Sequence, residues 1–168
     1  MNEEYLQMQL PSVEDLQLPV GVNVSKCSLL VADCVSKDQG WATDQREWNG
    51  TYRKSSSWCE VAVTSPSLGD ERRDEKGRAL FCPNLRAGRN FRHHRKYFTS
   101  WCTLLSLIKL GDGVSIVLRS RYPGWTNTAK YARLAACFTV ELTDDFSFAR
   151  LLSSSTLVCA AKGKTVEV

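Results

Sequence analysis

Two polar, turn-forming stretches carry a Gly-Trp pair at their centre: SKDQGWAT at 36–43 and SRYPGWTN at 120–127. Flat indole faces stack on sugar rings or other planar groups, and carboxylates, amides and guanidinium groups hydrogen-bond to hydroxyls. The candidate ligand-binding set is therefore Asp38, Gln39 and Trp41 from the first loop, and Arg121, Tyr122, Trp125 and Asn127 from the second. A structural reading competes with this one. A glycine before each tryptophan frees the backbone to take unusual angles or to pass close to a neighbour. Each ring, worth about 150–250 Å² of buried area, could then fold back as a lid on the core. Asn127 has a similar alternative in bonding loop backbone. Tyr52 and Trp58 lie near a strand start and are expected in the core.

A second cluster is basic. Arg86, Arg89, Arg92, Arg95 and Lys96 fall within eleven residues, with His93, His94, Phe91 and Tyr97 interleaved. Cations and aromatic rings together suit phosphates and bases. A solvated loop that offsets Asp70, Glu71, Asp74 and Glu75 accounts for the same residues. The net charge of +4 is modest and no recognition motif is present, which argues against nucleic acid. His93 and His94 point to opposite faces if they lie on a strand, so they do not ligate one metal together.

Enzyme signatures are missing. GKT at 163–165 lacks the glycine a phosphate loop needs five residues earlier, where Val158 stands. There is no G-x-S-x-G elbow, and neither histidine has a neighbourhood that suggests a nucleophile relay. The paired carboxylates Asp144-Asp145 and Glu3-Glu4 lie in polar stretches, not in sites that would tune them for acid–base work. Catalysis and cofactors are not expected, and no metal spacing is evident.

The elements that would carry these residues read as strands. CSLLVADCV at 27–35 is a short apolar run. WCEVAVT at 58–64 alternates, with Cys59, Val61 and Val63 on one face. ALFC at 79–82 and KYFTSW at 96–101 are further short candidates, and TLLSLIKL at 103–110 suits either a helix or a strand. In 113–123, Val114, Ile116 and Leu118 point inward. In 130–142, the side carrying Ala132, Leu134, Ala136, Phe138, Val140 and Leu142 is apolar. Long polar connections join these runs, notably 36–57 and the charged excursion 65–79. Short alternating strands, long loops and little helix predict an all-β sandwich of two antiparallel sheets. Residues 1–24 read as an extended lead-in, 25–142 as the sandwich domain, and 143–168 as a C-terminal extension of uncertain order.

Seven cysteines, an odd number with no C-x-x-C pair, sit mostly in apolar runs. Buried free thiols act as small hydrophobes, so a reducing intracellular setting, cytoplasmic rather than secreted, is expected. The N-terminus MNEEYLQMQL lacks the apolar segment of a secretory signal, and no apolar run is long enough to predict a membrane span.

Three stretches in order, SKDQGW (36–41), GTYRKSSSWCEV (50–61) and LGDGVSIVLRSRYPGWTN (110–127), resemble a largely uncharacterised fungal family. Its members carry S-x-D-Q-G-W, then G-T-Y-x-x-S-x-T-W, then a G-D stretch ending in Y-P-G-W-x-N or a close variant. The resemblance covers roughly residues 28–140. It departs at Ser57, where the family has Thr, at Cys59, where an aromatic is common, and in the excursion at 65–79. It implies a galactose-binding-domain-like jelly roll, similar in its late strands to the sugar-binding domain that follows some F-boxes. It implies an intracellular setting and supplies no activity. The expected function is a non-catalytic binding module for a carbohydrate or other small polar ligand at the Trp-bearing edge. A protein-interaction or adaptor domain, using a sheet face or the basic segment, is the alternative, and nucleic-acid binding through 86–96 the weaker one.

Overall fold

A computed structural model describes residues 2–65 and 77–144. Seven strands run in chain order: β1 (Asn2–Gln9), β2 (Val22–Asp38), β3 (Ser57–Thr64), β4 (Arg78–Pro83), β5 (Arg92–Phe98), β6 (Gly113–Ser120) and β7 (Asn127–Leu142). They form a four-stranded sheet, β1-β6-β3-β4, and a three-stranded sheet, β5-β2-β7. Every pairing is antiparallel. The two sheets stack as an all-β sandwich. A single 3-10 turn, Arg46–Trp48, and one short helix, α1 (Thr103–Leu107), complete the described elements. No helix among the described residues is long and apolar enough to cross a membrane.

Alternation decides which side chains meet between the sheets. Cys59, Val61 and Val63 of β3 face Leu30, Ala32 and Cys34 of β2, and all six are fully buried. Val114, Ile116 and Leu118 of β6 and Ala132 and Leu134 of β7 point inward as their spacing predicts. The ambiguous run at 103–110 is α1 with its C-terminal extension, and it inserts Leu104, Leu105 and Ile108 into the core.

Three features differ from the sequence reading. The opening segment is extended, but it is also paired, adding β1 to the edge of β6 and burying Leu6 and Leu10. The Leu6, Met8, Leu10 alternation carries that information. The strand expected at 96–101 lies earlier, at Arg92–Phe98, because β5 pairs with the middle of β2 and only Phe98 of its last residues is buried. The apolar side of β7 stays buried only as far as Leu134. Val140 is 44% exposed and Leu142 53%, because the β2–β7 ladder continues from Val22 to Asp38 beyond the reach of the second sheet. The excursion at 66–76 and the extension from 145 onward lie outside the described residues.

The described cysteines are all free. The Sγ atoms of Cys34 and Cys59 approach to 4.0 Å across the core. The hydrogen bond with Cys59, then burial, pushes Cys34 and Cys82 well above the ordinary thiol value. Burial pushes Cys27 up to about 11. These thiols behave as apolar packing groups. In native protein treated with an alkylating reagent near neutral pH, exposed Cys137 is expected to react, and buried Cys27, Cys34 and Cys82 only after denaturation. Peptide mass spectrometry reads the outcome, and native-state labelling of Cys34 would contradict this packing.

Candidate functional site

The inward phase of β2 runs Leu30, Ala32, Cys34, Ser36, Asp38. The apolar run thus turns polar without changing side, and the last carboxyl enters the sandwich at its end, fully buried. Three donors from three other segments converge on it. Ser57 Oγ, at the start of β3, donates to Asp38 Oδ1 at 2.6 Å. Trp125 Nε1 donates to the same oxygen at 2.6 Å. The backbone N–H of Ala87 donates to Oδ2 at 2.8 Å. Ala87 adopts a left-handed φ of 53°, a conformation that costs an L-residue about 1–2 kcal/mol and here accompanies the aiming of its N–H.

The network continues from Ser57. Asn84 Nδ2 donates to Ser57 Oγ at 3.0 Å and to Asn127 Oδ1 at 2.8 Å. Ser36 Oγ donates to Asn84 Oδ1 at 2.7 Å. Asn127 Nδ2 donates to the carbonyls of Trp58 and Arg119 at 2.7 and 3.1 Å. The segments 36–41, 50–61 and 110–127 are thus stitched to one another through Asp38, Ser57, Trp125 and Asn127. This corrects the sequence reading at Asp38, expected to meet a ligand, and at Asn127 it favours the alternative reading, a bond to backbone. Both lie beneath the surface with their polar atoms already engaged, because strand phase carries them inside.

Above this network the rings gather. The Trp41 and Trp125 centroids are 6.3 Å apart with planes at 35°. Tyr122 stands 6.0 Å from Trp125 at 57°. Trp41 is 59% exposed and Tyr122 50%, and Trp125 is half-buried on its hydrogen-bonded side. Each glycine serves its turn differently. Gly40 has φ +93°, and a Cβ there would stand 3.1 Å from Arg89 Cγ; Gly124 has φ +76° with open space around it. Gln39 Nε2 donates to the Trp41 carbonyl at 2.9 Å. The Arg121 backbone N–H bonds the Ser56 carbonyl, and its side chain is exposed. Gln39, Trp41, Arg121, Tyr122 and Trp125 therefore share one accessible edge. Tyr52, expected in the core, is 49% exposed, with its ring edge-on to His94 at 5.9 Å. Trp58 is half-buried, and its Nε1 donates to Glu60 at 2.7 Å.

The basic segment is divided by its own structure. Arg86 is buried and does not belong to a surface patch. Its guanidinium donates to the carbonyls of Lys54 and Asp44 and to Asp44 Oδ1, each at 2.8 Å, which pins the long loop between β2 and β3. Arg89 reaches the Gly40 carbonyl at 3.3 Å. From Arg92 the segment is strand β5, whose side chains alternate. Lys96 donates to the Leu80 carbonyl at 2.6 Å on one side. On the other side Arg95 Nε and Nη2 bind Asp33 at 2.6 and 3.2 Å, and His93 Nε2 lies 3.1 Å from the same carboxyl. Burial alone would raise Asp33, but the hydrogen bonds and charges of Arg95 and His93 outweigh it and hold the carboxyl below its ordinary value. For His94, burial followed by the charges of His93 and Arg92 overrides Cys59 and lowers the imidazole.

Sequence reasoning missed Ser36, Ser57 and Asn84. Ser36 and Ser57 continue the inward phase of apolar strands, and that phase was the available signal; Asn84 carried none.

Comparison with family models, curated proteins and solved structures found no match.

Two predictions follow from these contacts. Asp38→Ala strands the buried Ser57 hydroxyl, at a cost of about 1–3 kcal/mol, and leaves two half-buried donors, Trp125 Nε1 and the Ala87 N–H, without their acceptor, so urea unfolding is expected to register a loss of about 2 kcal/mol or more; a loss below about 1 kcal/mol would mean that the brace is dispensable. Because the folded state depresses Asp33, its contribution is present above the ordinary carboxylate value of 3.8 and lost as pH falls through the lower folded value. Melting temperature measured down the acid limb should therefore fall less steeply in Asp33→Asn than in the parent.

Proposed function

We propose that this protein is a non-catalytic binding module that recognises a carbohydrate, or a similarly small polar ligand, at the edge formed by Trp41, Tyr122 and Trp125. The observation that carries the reading is the pair of indole rings 6.3 Å apart, Trp41 exposed and Trp125 half-buried, the latter fixed from below by a 2.6 Å hydrogen bond to a buried carboxyl. An aromatic held in place before the ligand arrives loses little conformational freedom on binding. Sugar C–H faces pack on indole, and Gln39 and Arg121 at the rim supply hydrogen bonds to hydroxyls. Asp38 and Asn127 act one layer down, as the support of the ring rather than as contacts.

The resemblance to galactose-binding-like jelly rolls supplies no activity of its own, but the residues that carry it include those that build this edge. The intracellular setting it implies points to glycans or polar metabolites of that compartment.

Among the described residues the Trp41 ring makes no hydrogen bond, so Trp41→Ala separates binding from folding. On a glycan array followed by calorimetry with the best hit, the parent should bind. Trp41→Ala should lose at least about tenfold in affinity, as expected for a central tryptophan anchor. Its melting temperature should stay close to that of the parent. A parent protein that binds no glycan, or a variant that binds as well as the parent, would overturn the proposal.

A further inference from the structure

The outer face of the three-stranded sheet assembles cations that are scattered in the sequence. Register sets Arg95, Asp33 and Arg133 in one row across β5, β2 and β7. The next row toward the Trp-bearing edge holds His93, Val35 and Tyr131, and the row on the other side holds Tyr97, Val31 and Ala135. The inward phase of the same strands is the packed core, so these rows face away from it. Nearer the edge the ladder steps from Val35–Tyr131 to Ser36–Ala129, which leaves Lys130 as the extra residue of a β-bulge. Lys130 and Lys37 then flank the Phe91 ring, with their Nζ atoms 5.0 and 4.8 Å from its centroid.

Across these rows and the bulge beside them, Lys37, Lys130, Arg95 and Arg133 stand against one carboxyl, Asp33. That carboxyl is 3% exposed and already engaged by Arg95 and His93. It holds the Arg95 guanidinium in place and presents little negative charge to solvent. Tyr97 is 57% exposed beside it. Residues two apart on a strand are about 7 Å apart and neighbouring strands about 4.8 Å, so the positive groups are spaced for a flexible chain of phosphates. Rings among the cations offer stacking surfaces for bases, whereas an acidic peptide would need only the charges.

From this juxtaposition we propose that the outer face of β5-β2-β7 binds single-stranded nucleic acid. Phosphates contact Lys37, Lys130 and Arg133, and a base stacks on Tyr97. This face adjoins the Trp-bearing edge but uses other side chains, and the proposal does not depend on the sugar-binding one.

The test is fluorescence anisotropy of the full chain with labelled oligo(dT) and oligo(U) of about 12 nucleotides, titrated across salt concentrations. Three or four neutralised phosphates predict that log affinity falls with log salt at a slope of about −2 to −3. Tyr97→Ala should weaken binding roughly tenfold. Lys130→Glu, on the exposed bulge, should weaken it further and flatten the salt slope, with circular dichroism and melting reporting that both variants fold. Trp41→Ala should bind the oligonucleotide like the parent. The proposal is overturned by absence of binding at low salt, or by binding indifferent to both face variants. It is also overturned if polyglutamate competes as well as the oligonucleotide while Tyr97→Ala has no effect, an outcome that would identify an acidic protein partner.

Discussion

A carboxyl group withdrawn from water with no cation beside it depends on hydrogen bonds for its stabilisation. Asp38 is in that position: among the described residues its partners are a hydroxyl, an indole N–H and a backbone N–H. Losing one donor would leave a polar oxygen under-satisfied in a low-dielectric interior, where such a defect is most costly. The donors come from different segments, so satisfying one side chain fixes the relative positions of the start of β3, the turn after β4 and the turn before β7. The loop edge inherits its geometry from that requirement. Trp125 stands where it does because its N–H is needed underneath, and Trp41 and Tyr122 pack around it.

The two sheets divide the remaining work. The inner faces are filled by small and branched side chains, including thiols that pack as apolar groups, and these hold the layers together. The three-stranded sheet then projects polar and aromatic groups from its far side, where a buried Asp33 positions Arg95. Asp33 and Asp38 are five residues apart on one strand and, by the alternation of side chains, face opposite ways. One organises the interior of the loop edge, and the other organises the outer sheet surface. A one-residue register slip of β2 would exchange their environments and bury Lys37, which is why this strand's pairing must be strongly specified.

Much of this architecture was legible from alternation. Cys59, Val61 and Val63, or Val114, Ile116 and Leu118, declare an inward face by spacing alone, and the sandwich follows from having several such strands. The same parity, extended from Leu30 to Asp38, would have put Asp38 inside; reading it as a loop residue obscured this. Leu6, Met8 and Leu10 likewise signalled a strand at the N-terminus. Other features were not legible because they depend on contacts distant in sequence. Arg86 looks like any arginine in a basic run until the loop carrying Asp44 and Lys54 folds over it. The outer cationic face is drawn from three strands, so no local window of the sequence displays it. The gathering of the two Gly-Trp loops was expected, but the reason for it, a shared buried network, was not.

The β2–β7 ladder joins two unequal environments. At one end Asp38 and Asn127 are paired across it and locked into the buried network; at the other, Val22 and Leu142 are paired where the second sheet no longer covers β7. Opening the ladder from the Leu142 end breaks backbone hydrogen bonds one at a time and takes little packing from the exposed Val140 and Leu142, whereas opening it from the Asp38 end disrupts the whole cross-linked edge. Amide hydrogens are expected to exchange with solvent faster near Leu142 than beside Asp38. The fold gives the Leu142 end of its longest ribbon to solvent and keeps the cross-linked end directly beneath the paired tryptophans.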